Sequence, residues 1–351
     1  MINFHMHCHL LLPDLFWPEP GKRDIYRGIT TPALERLLAK GRQHTEAEVT
    51  ASAEAWLCHR FDLDPQGEIP AAPYCLLADG GVPGEHYWLR ADPVHLRLEG
   101  GRLVLADSGA FPLSQQEAEN LTDSLNAHFA RDGLEFYPLR PDRWYLRVAQ
   151  APALETTPLA QAAGRSIDAL LPRGADAATW QARLNEIQML LHGHALNEQR
   201  EAAGELAINS VWLWGGGMSG SLAAAFNAVW SRDPFAAGLA RAARIAAREL
   251  PGDAAELLRS GTGADTGVNL ILLDRLRAPA QYGDAHGWRE ALQQLEHDWF
   301  APLLDALRQE RIGMLSLHAL GPAGALSVEV TRGDLRRFWR RVKPLADYAS
   351  T

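Results

Sequence analysis

Four places along the chain set a chemically useful residue just after an apolar run. Asp14 follows Leu10-Leu11-Leu12-Pro13, and Gly215, Gly216 and Gly217 follow Val211-Trp212-Leu213-Trp214. Asp274 follows Leu270-Ile271-Leu272-Leu273, and His318 follows Leu315-Ser316-Leu317. In an open parallel sheet, ligands bind beyond the carboxyl ends of the strands. Carboxylates and an imidazole gathered there suit a metal ion, and the backbone N–H groups of a glycine turn suit a phosphate. Each of these residues alone is also what an ordinary strand-end turn uses.

Three further features carry possible chemistry. His5, His7 and His9 share one face of the opening strand. An H-x-H at that place begins the metal site of amidohydrolase barrels, but this chain lacks the eightfold strand–helix alternation such a barrel needs. A strand face packed under a helix accounts for the histidines. The run Trp214-Gly215-Gly216-Gly217-Met218-Ser219-Gly220-Ser221 lacks the Gly-Lys-Ser/Thr ending of a P-loop, and a plain chain reversal fits it as well as a phosphate cradle does. Near the C-terminus, Leu335, Phe338, Trp339 and Val342 interleave with Arg336, Arg337, Arg340 and Arg341. Such a pattern can bind nucleic acid, but it also describes an amphipathic terminal helix docked on the core, which is the expectation adopted.

The elements that would position these groups change character along the chain. Thr31 caps a helix that opens with Pro32, and a second helix runs near Glu46 to Arg60. From Val94 to Leu105 the pattern alternates around Gly100-Gly101, as in a hairpin. Ser114 and Glu117 form a capping box ahead of Ala118, Leu121, Leu125 and Phe129. Beyond residue 150, helices and apolar strands alternate, and Val268 to Leu273 reads as a strand buried on both faces. The expected fold class is α/β: a mostly parallel sheet sandwiched by helices, with an inserted α+β subdomain. The expected divisions are 1–84 (core, first part), 85–150 (insert) and 151–351 (core, second part). Strands near Phe4, Val211, Val268 and Ile312 are expected to share the core sheet.

Composition bounds the partners. The 351 residues carry a net charge of −9, which argues against a nucleic-acid coat or an electrostatically held membrane protein. Lys22, Lys40 and Lys343 are the lysines; the remaining basic residues are Arg, whose planar forks grip phosphate or carboxylate. Cys8, Cys58 and Cys75 form no CxxC pair, the N-terminus has no basic leader, and no apolar run reaches membrane-spanning length. The expectation is a cytoplasmic protein with three buried, reduced thiols.

Taken together, several segments resemble a family. Thr31-Pro32-Ala33-Leu34 through Gly41 is similar to the T-P-x-L motif that follows the first metal loop of alkaline-phosphatase-superfamily enzymes. His194-Ala195-Leu196-Asn197, Arg200, Gly204, Asn209 and Trp212 through Gly217 resemble a signature of archaeal-type cofactor-independent phosphoglycerate mutases. Asp92-Pro93-Val94-His95-Leu96 and Phe338-Trp339-Arg340-Arg341 resemble more closely the RpfE-type regulatory proteins, a bacterial branch that is mutase-like.

The resemblance implies an alkaline-phosphatase-like scaffold, two manganese or zinc ions and a serine nucleophile. Ser52, with Thr50 as rival, falls nearest the serine. The departures are extensive. Leu15-Phe16-Trp17 follows Asp14 where the family has glycine and a second Asp. The D-x-x-x-H ligand positions fall near Arg277 and Gln281, with Asp274 out of register, and Leu317-His318 replaces the last Asp-His pair. Leu and Gln cannot hold a divalent ion at such positions. A non-catalytic regulatory or ligand-binding protein without a metal cofactor is therefore expected. The alternative is an active mutase or phosphatase whose two Mn or Zn ions use Asp14, Asp274, Asp284 and His318, with Ser52 as nucleophile. For the non-catalytic protein, Arg90, Asp92, Arg200 and Gly215 to Gly217 are the expected contacts to a small phosphorylated or carboxylate ligand. A protein partner is a further expectation.

Overall fold

The computed structural model describes residues 6–19, 21–46, 52–65, 67–260, 267–321 and 324–349. His5 and Thr50 lie outside them. The strands are β1 (Met6–Pro13), β2 (Arg42–Glu46), β3 (Tyr87–Glu99), β4 (Arg102–Ala106), β5 (Leu134–Arg140), β6 (Arg143–Val148), β7 (Ser210–Gly217), β8 (Ala228–Trp230), β9 (Ala246–Arg248), β10 (Val268–Leu272), β11 (Ile312–Gly321) and β12 (Gly324–Thr331). The chain divides into two units, Met1–Leu63 with Leu222–Thr351, and Asp64–Ser221.

The first unit is built on a seven-stranded sheet of order β2-β12-β11-β1-β10-β8-β9. β11, β1, β10, β8 and β9 run parallel, and β12 and β2 add antiparallel strands at one edge. The α/β class with a mostly parallel sheet is therefore correct. β1 shows how the sequence builds it. Cys8, Leu10 and Leu12 alternate into the core, whereas His7 and His9 take the other face. Helix residues Trp288, Leu292, Leu295, Trp299, Phe300 and Leu303 join that core and are fully buried. Burying each such side chain contributes about 1.5–3 kcal/mol before entropy is counted. The helix Pro32–Lys40 does begin with Pro at its first turn, but Thr31 makes no side-chain cap. Glu296 does that work, accepting from Ala33 N (2.6 Å) and Leu34 N (3.1 Å).

The second unit holds an antiparallel sheet of order β4-β3-β6-β5, with β7 also paired to β3. The Gly100-Gly101 hairpin forms, with both residues at positive φ (54° and 82°). The capping box forms too: Ser114 Oγ accepts from Glu117 N, and Glu117 Oε2 accepts from Ser114 N at 2.8 Å.

β7 corrects an expectation. Val211 is not in the sheet of β1, β10 and β11. Residues 210–217 run antiparallel to β3, from Trp88↔Gly217 to Val94↔Ser210. A continuous apolar run means burial on both faces, and a central antiparallel strand satisfies that as well as a parallel one. The two compact units divide after Leu63 and after Ser221, and β7 lies with β3 in the second of them.

The C-terminal helix is not formed either. A short 3-10 turn, Asp334–Arg336, is followed by a turn clasped by Lys40, whose Nζ donates to the carbonyls of Arg337 (2.8 Å) and Arg340. Arg340 answers with bonds to the carbonyls of Lys40 and Gly41. The Arg337 carbonyl also accepts from Arg340 N at 3.2 Å, closing the turn. Phe338 and Trp339 are left 86% and 65% exposed, where docking on the core had been expected.

Candidate functional site

Three neighbouring parallel strands of the first unit, β1, β10 and β8, end close to acidic residues. Asp14 follows β1, Asp274 follows β10, and Asp233 follows β8 and caps the helix Pro234–Ala242 through Ala236 N (2.9 Å). Asp14 sits at positive φ (57°), and its carbonyl accepts from Trp288 Nε1 at 2.9 Å. That turn drives Leu15, Phe16 and Trp17 into the core.

The helix Ala53–Arg60 adds Glu54 and its N-cap Ser52, whose Oγ accepts from Ala55 N at 3.1 Å and which also bonds to Glu54. At the centre lies Arg277, the first residue of the helix Arg277–Gln281, which donates its guanidinium to Glu54. The charge of Arg277 acts on Asp14 and Asp233 as well, and Asp274 acts on Asp233.

The electrostatics follow from burial and this one cation. Burial opposes charge on Glu54, but Arg277 outweighs it and holds the carboxyl below its usual range. Burial pushes Asp14 up to about 6, with Arg277 opposing and Glu54 reinforcing the rise. Burial also raises Asp233, only partly offset by its bond from Ala236 N.

The remaining candidates stand apart from this pocket. Asp284 caps the helix Ala285–Leu295, accepting from Gly287 N at 2.9 Å. His318 is buried in an aromatic group. Its Nε2 lies 3.0 Å from His9 Nδ1, one ring donating and the other accepting, and its Nδ1 lies 2.8 Å from Ser327 Oγ. The two imidazoles stack with an interplanar angle of 5°, Trp56 packs on His318, and Phe226 meets the edge of His9. Burial, reinforced by nearby Arg60, lowers His9 to about 4 and His318 well below its ordinary value. The structure thus brings Asp14, Ser52 and Asp274 towards one place and leaves Asp284 and His318 elsewhere. Among the described residues, no three His, Cys, Asp or Glu side chains are grouped to hold a metal ion. A guanidinium, that of Arg277, lies among the acids at the strand ends, bonded to Glu54.

The expected anion contacts all lie in the second unit, and each has a partner within the chain. Arg90 and Asp92 are 4% and 0% exposed and bonded to each other at 3.0 and 2.5 Å. Trp214 Nε1 donates to the second Asp92 oxygen at 2.7 Å, and the Arg90 guanidinium lies over the rings of Tyr145 and Trp214. Arg200 donates to Leu206 O, Pro112 O and Glu117, at 2.9, 2.8 and 2.6 Å.

The glycine turn is filled as well. Glu68 accepts from Gly215 N (2.6 Å), Gly216 N (3.3 Å) and Thr156 N (3.2 Å). Gly215 has φ +67°, and a Cβ on Gly217 would collide with Pro70. These glycines allow β7 to approach the start of the helix Ala71–Ala78. The phosphate cradle of the sequence reading is a cradle for an internal carboxylate.

The long signature around His194 is likewise structural here. His194 caps the helix Ala195–Ala202. Asn197 bonds to the carbonyls of Leu191 and Ile208 and to Ile208 N, at 2.7–2.8 Å. Asn209 brackets Leu96 through both backbone groups.

Sequence reasoning missed Glu54, Asp233 and Glu68. For Asp233 a signal was present, because Val229-Trp230-Ser231-Arg232-Asp233-Pro234 has the same form as the other strand ends. Glu54 carried no such mark.

This is an alkaline-phosphatase-like fold, and the comparisons agree. Over 204 residues the chain is 29% identical to the 2,3-bisphosphoglycerate-independent phosphoglycerate mutase of Methanosarcina mazei, covering 56% of this chain and 51% of that protein. With its Methanosarcina acetivorans counterpart the identity is 28% over 210 residues, covering 57% and 51%. The chain therefore spans about half the length of the curated relatives it matches. No family model matches it. Among solved structures, a cofactor-independent phosphoglycerate mutase from Thermoplasma acidophilum superposes with a TM-score of 0.52 at 15% identity, covering 99% of this chain and 95% of that one. A Pyrococcus horikoshii protein gives 0.57 at 13% identity, covering 93% and 87%. The chain has a phosphoglycerate-mutase-like scaffold. Among the described residues no helix is long and apolar enough to cross a membrane.

Proposed function

We propose that this chain is a non-catalytic binding or regulatory protein on a phosphoglycerate-mutase-like scaffold, related to the RpfE-type proteins. One observation carries the reading. The five side chains that a rearranged two-metal centre would need form no metal-holding group among the described residues: Asp284 caps its own helix, His318 is tied to His9 and Ser327, Ser52 caps the helix Ala53–Arg60, and Asp14 lies within reach of the Arg277 charge. Two-metal phosphoryl transfer requires ions that polarise the phosphate and activate the nucleophile. Ser52 serves as a helix cap, its hydroxyl accepting from Ala55 N and bonding to Glu54, whose carboxylate is also held by Arg277.

Binding then acts through surface. The turn carrying Phe338 and Trp339 offers two exposed rings beside Arg336, Arg341 and Lys343, the kind of aromatic and arginine anchor on which protein interfaces depend. Its complement is a partner protein that pairs an apolar pocket with carboxylates. The test of the catalytic half is direct. Purified protein supplied with Mn²⁺ or Zn²⁺ is expected to leave 3-phosphoglycerate unconverted to 2-phosphoglycerate. Metal-dependent turnover that vanishes in Ser52→Ala would overturn the reading.

A further inference from the structure

We infer that the Arg277 guanidinium is the resident cation of the acidic pocket in the first unit, standing where a divalent ion would otherwise be held. The inference rests on the non-catalytic reading above and deepens it, by saying what fills the site.

The argument begins with charge. Asp14, Asp233 and Asp274 arrive from three adjacent parallel strands, and Glu54 from the helix Ala53–Arg60. Carboxylates delivered to one place repel one another and lose hydration, so they need a cation, a proton or both. Arg277 is the cation that meets them. Its side chain is 25% exposed, and the Glu54 side chain bonded to it is 13% exposed. Its charge also acts on Asp14 and Asp233.

A guanidinium differs from a divalent ion in reach and shape. It is a flat, five-donor fork carrying a single charge, so carboxylates spread around it rather than closing on a point. That matches the arrangement here, where Glu54 is bonded to Arg277, Asp14 and Asp233 lie within reach of its charge, and the described acids form no compact ligand group. The backbone supports the placement. Arg277 N donates to Asp274 O at 2.9 Å, so the residue begins a helical turn directly after the acidic strand end.

The consequence is specific. If the guanidinium is a built-in cation, its removal leaves oxygen ligands that a hard or borderline divalent ion can draw inward. The wild-type chain should ignore such ions, and a charge-deleted chain should recruit them. The experiment follows thermal unfolding of the full chain in MnCl₂ or ZnCl₂, each titrated to about 1 mM. The variants are Arg277→Gln, which keeps bulk and hydrogen bonding, and Arg277→Lys, which keeps a cation.

Arg277→Gln is expected to melt below wild type and to regain roughly 3–6 °C with metal, as binding to the folded state alone requires. That gain should vanish when Asp14→Asn is added. Arg277→Lys and wild type should shift by less than about 1 °C on the same scale. An Arg277→Gln protein as unresponsive as wild type would overturn this inference and leave the non-catalytic reading standing. A wild-type protein with a large metal shift of its own would remove both. If Arg277→Gln does not accumulate in folded form, its recovery by refolding with MnCl₂, and not with NaCl of equal ionic strength, is the equivalent readout. Equal recovery in both would count against the inference.

Discussion

Two of the guanidinium–carboxylate arrangements in this molecule are built to different ratios. In the second unit, Arg90 faces Asp92 one to one. The remaining carboxylate oxygen is taken by Trp214 Nε1, and aromatic faces lie on the cation. In the first unit, Arg277 faces a surplus of acids: Glu54 bonded, Asp14 and Asp233 within reach of its charge, and Asp274 beside them. A one-to-one pair closed by hydrogen bonds is a structural lock. A cluster with more carboxylates than cations keeps negative charge that a single guanidinium does not neutralise.

The lock gives the larger mutational effect. Arg90→Ala strands the Asp92 carboxylate in a site with no exposure, and the loss expected is about 3–5 kcal/mol in urea unfolding. Replacing both partners by apolar residues, Arg90→Met with Asp92→Leu, should recover most of that loss. Were the double variant as unstable as Arg90→Ala, the pair would be more than a lock. Arg277→Gln should cost less, about 2 kcal/mol, because its site is partly open to water and its surplus acids can take up protons.

The difference is also visible in pH. His9 and His318 are held neutral by burial, with His9 at about 4 against 6.5 when unfolded. Between those values the unfolded chain binds a proton that the folded chain refuses. Their stabilising effect is therefore complete above pH 6.5 and is lost as pH falls towards 4. Asp14 has the opposite sign. Its carboxyl titrates at about 6 against 3.8, so its contribution is present below pH 3.8 and disappears as pH rises through 6. Asp233, also raised by burial, shares the sign of Asp14. Where the two buried histidines outweigh these acids, the melting temperature should fall from pH 6.5 to 5, and His318→Gln should flatten that slope. A wild-type profile rising over the same interval would show that the acids of the pocket dominate instead.

How much of this could be read in advance depended on whether the signal was local. Asp14 and Asp274 were visible because a carboxylate directly after an apolar run marks a strand end. The Ser114–Glu117 box and the Gly100-Gly101 hairpin were visible because three or four residues define them. The place of β7 was not, since Val211-Trp212-Leu213-Trp214 reports burial and says nothing of which strand lies beside it. Nor was the C-terminal turn, where the apolar spacing of Leu335, Phe338 and Val342 suits a helix. The segment is instead held by Lys40, some 300 residues earlier, which bonds to the carbonyls of Arg337 and Arg340. The role of Arg277 was hidden for a related reason. Sequence showed that it stood near a family ligand position, but only the fold brings Glu54 and Asp233 to it.

The central claim is that a protein side chain, rather than a pair of metal ions, fills the strand-end pocket. Its most direct test is the metal content of wild-type protein after equilibration with Mn²⁺ and Zn²⁺ and removal of free ions. Well below one ion per chain is the result the account predicts. About two tightly held ions per chain, lost together in Asp14→Asn, would contradict it.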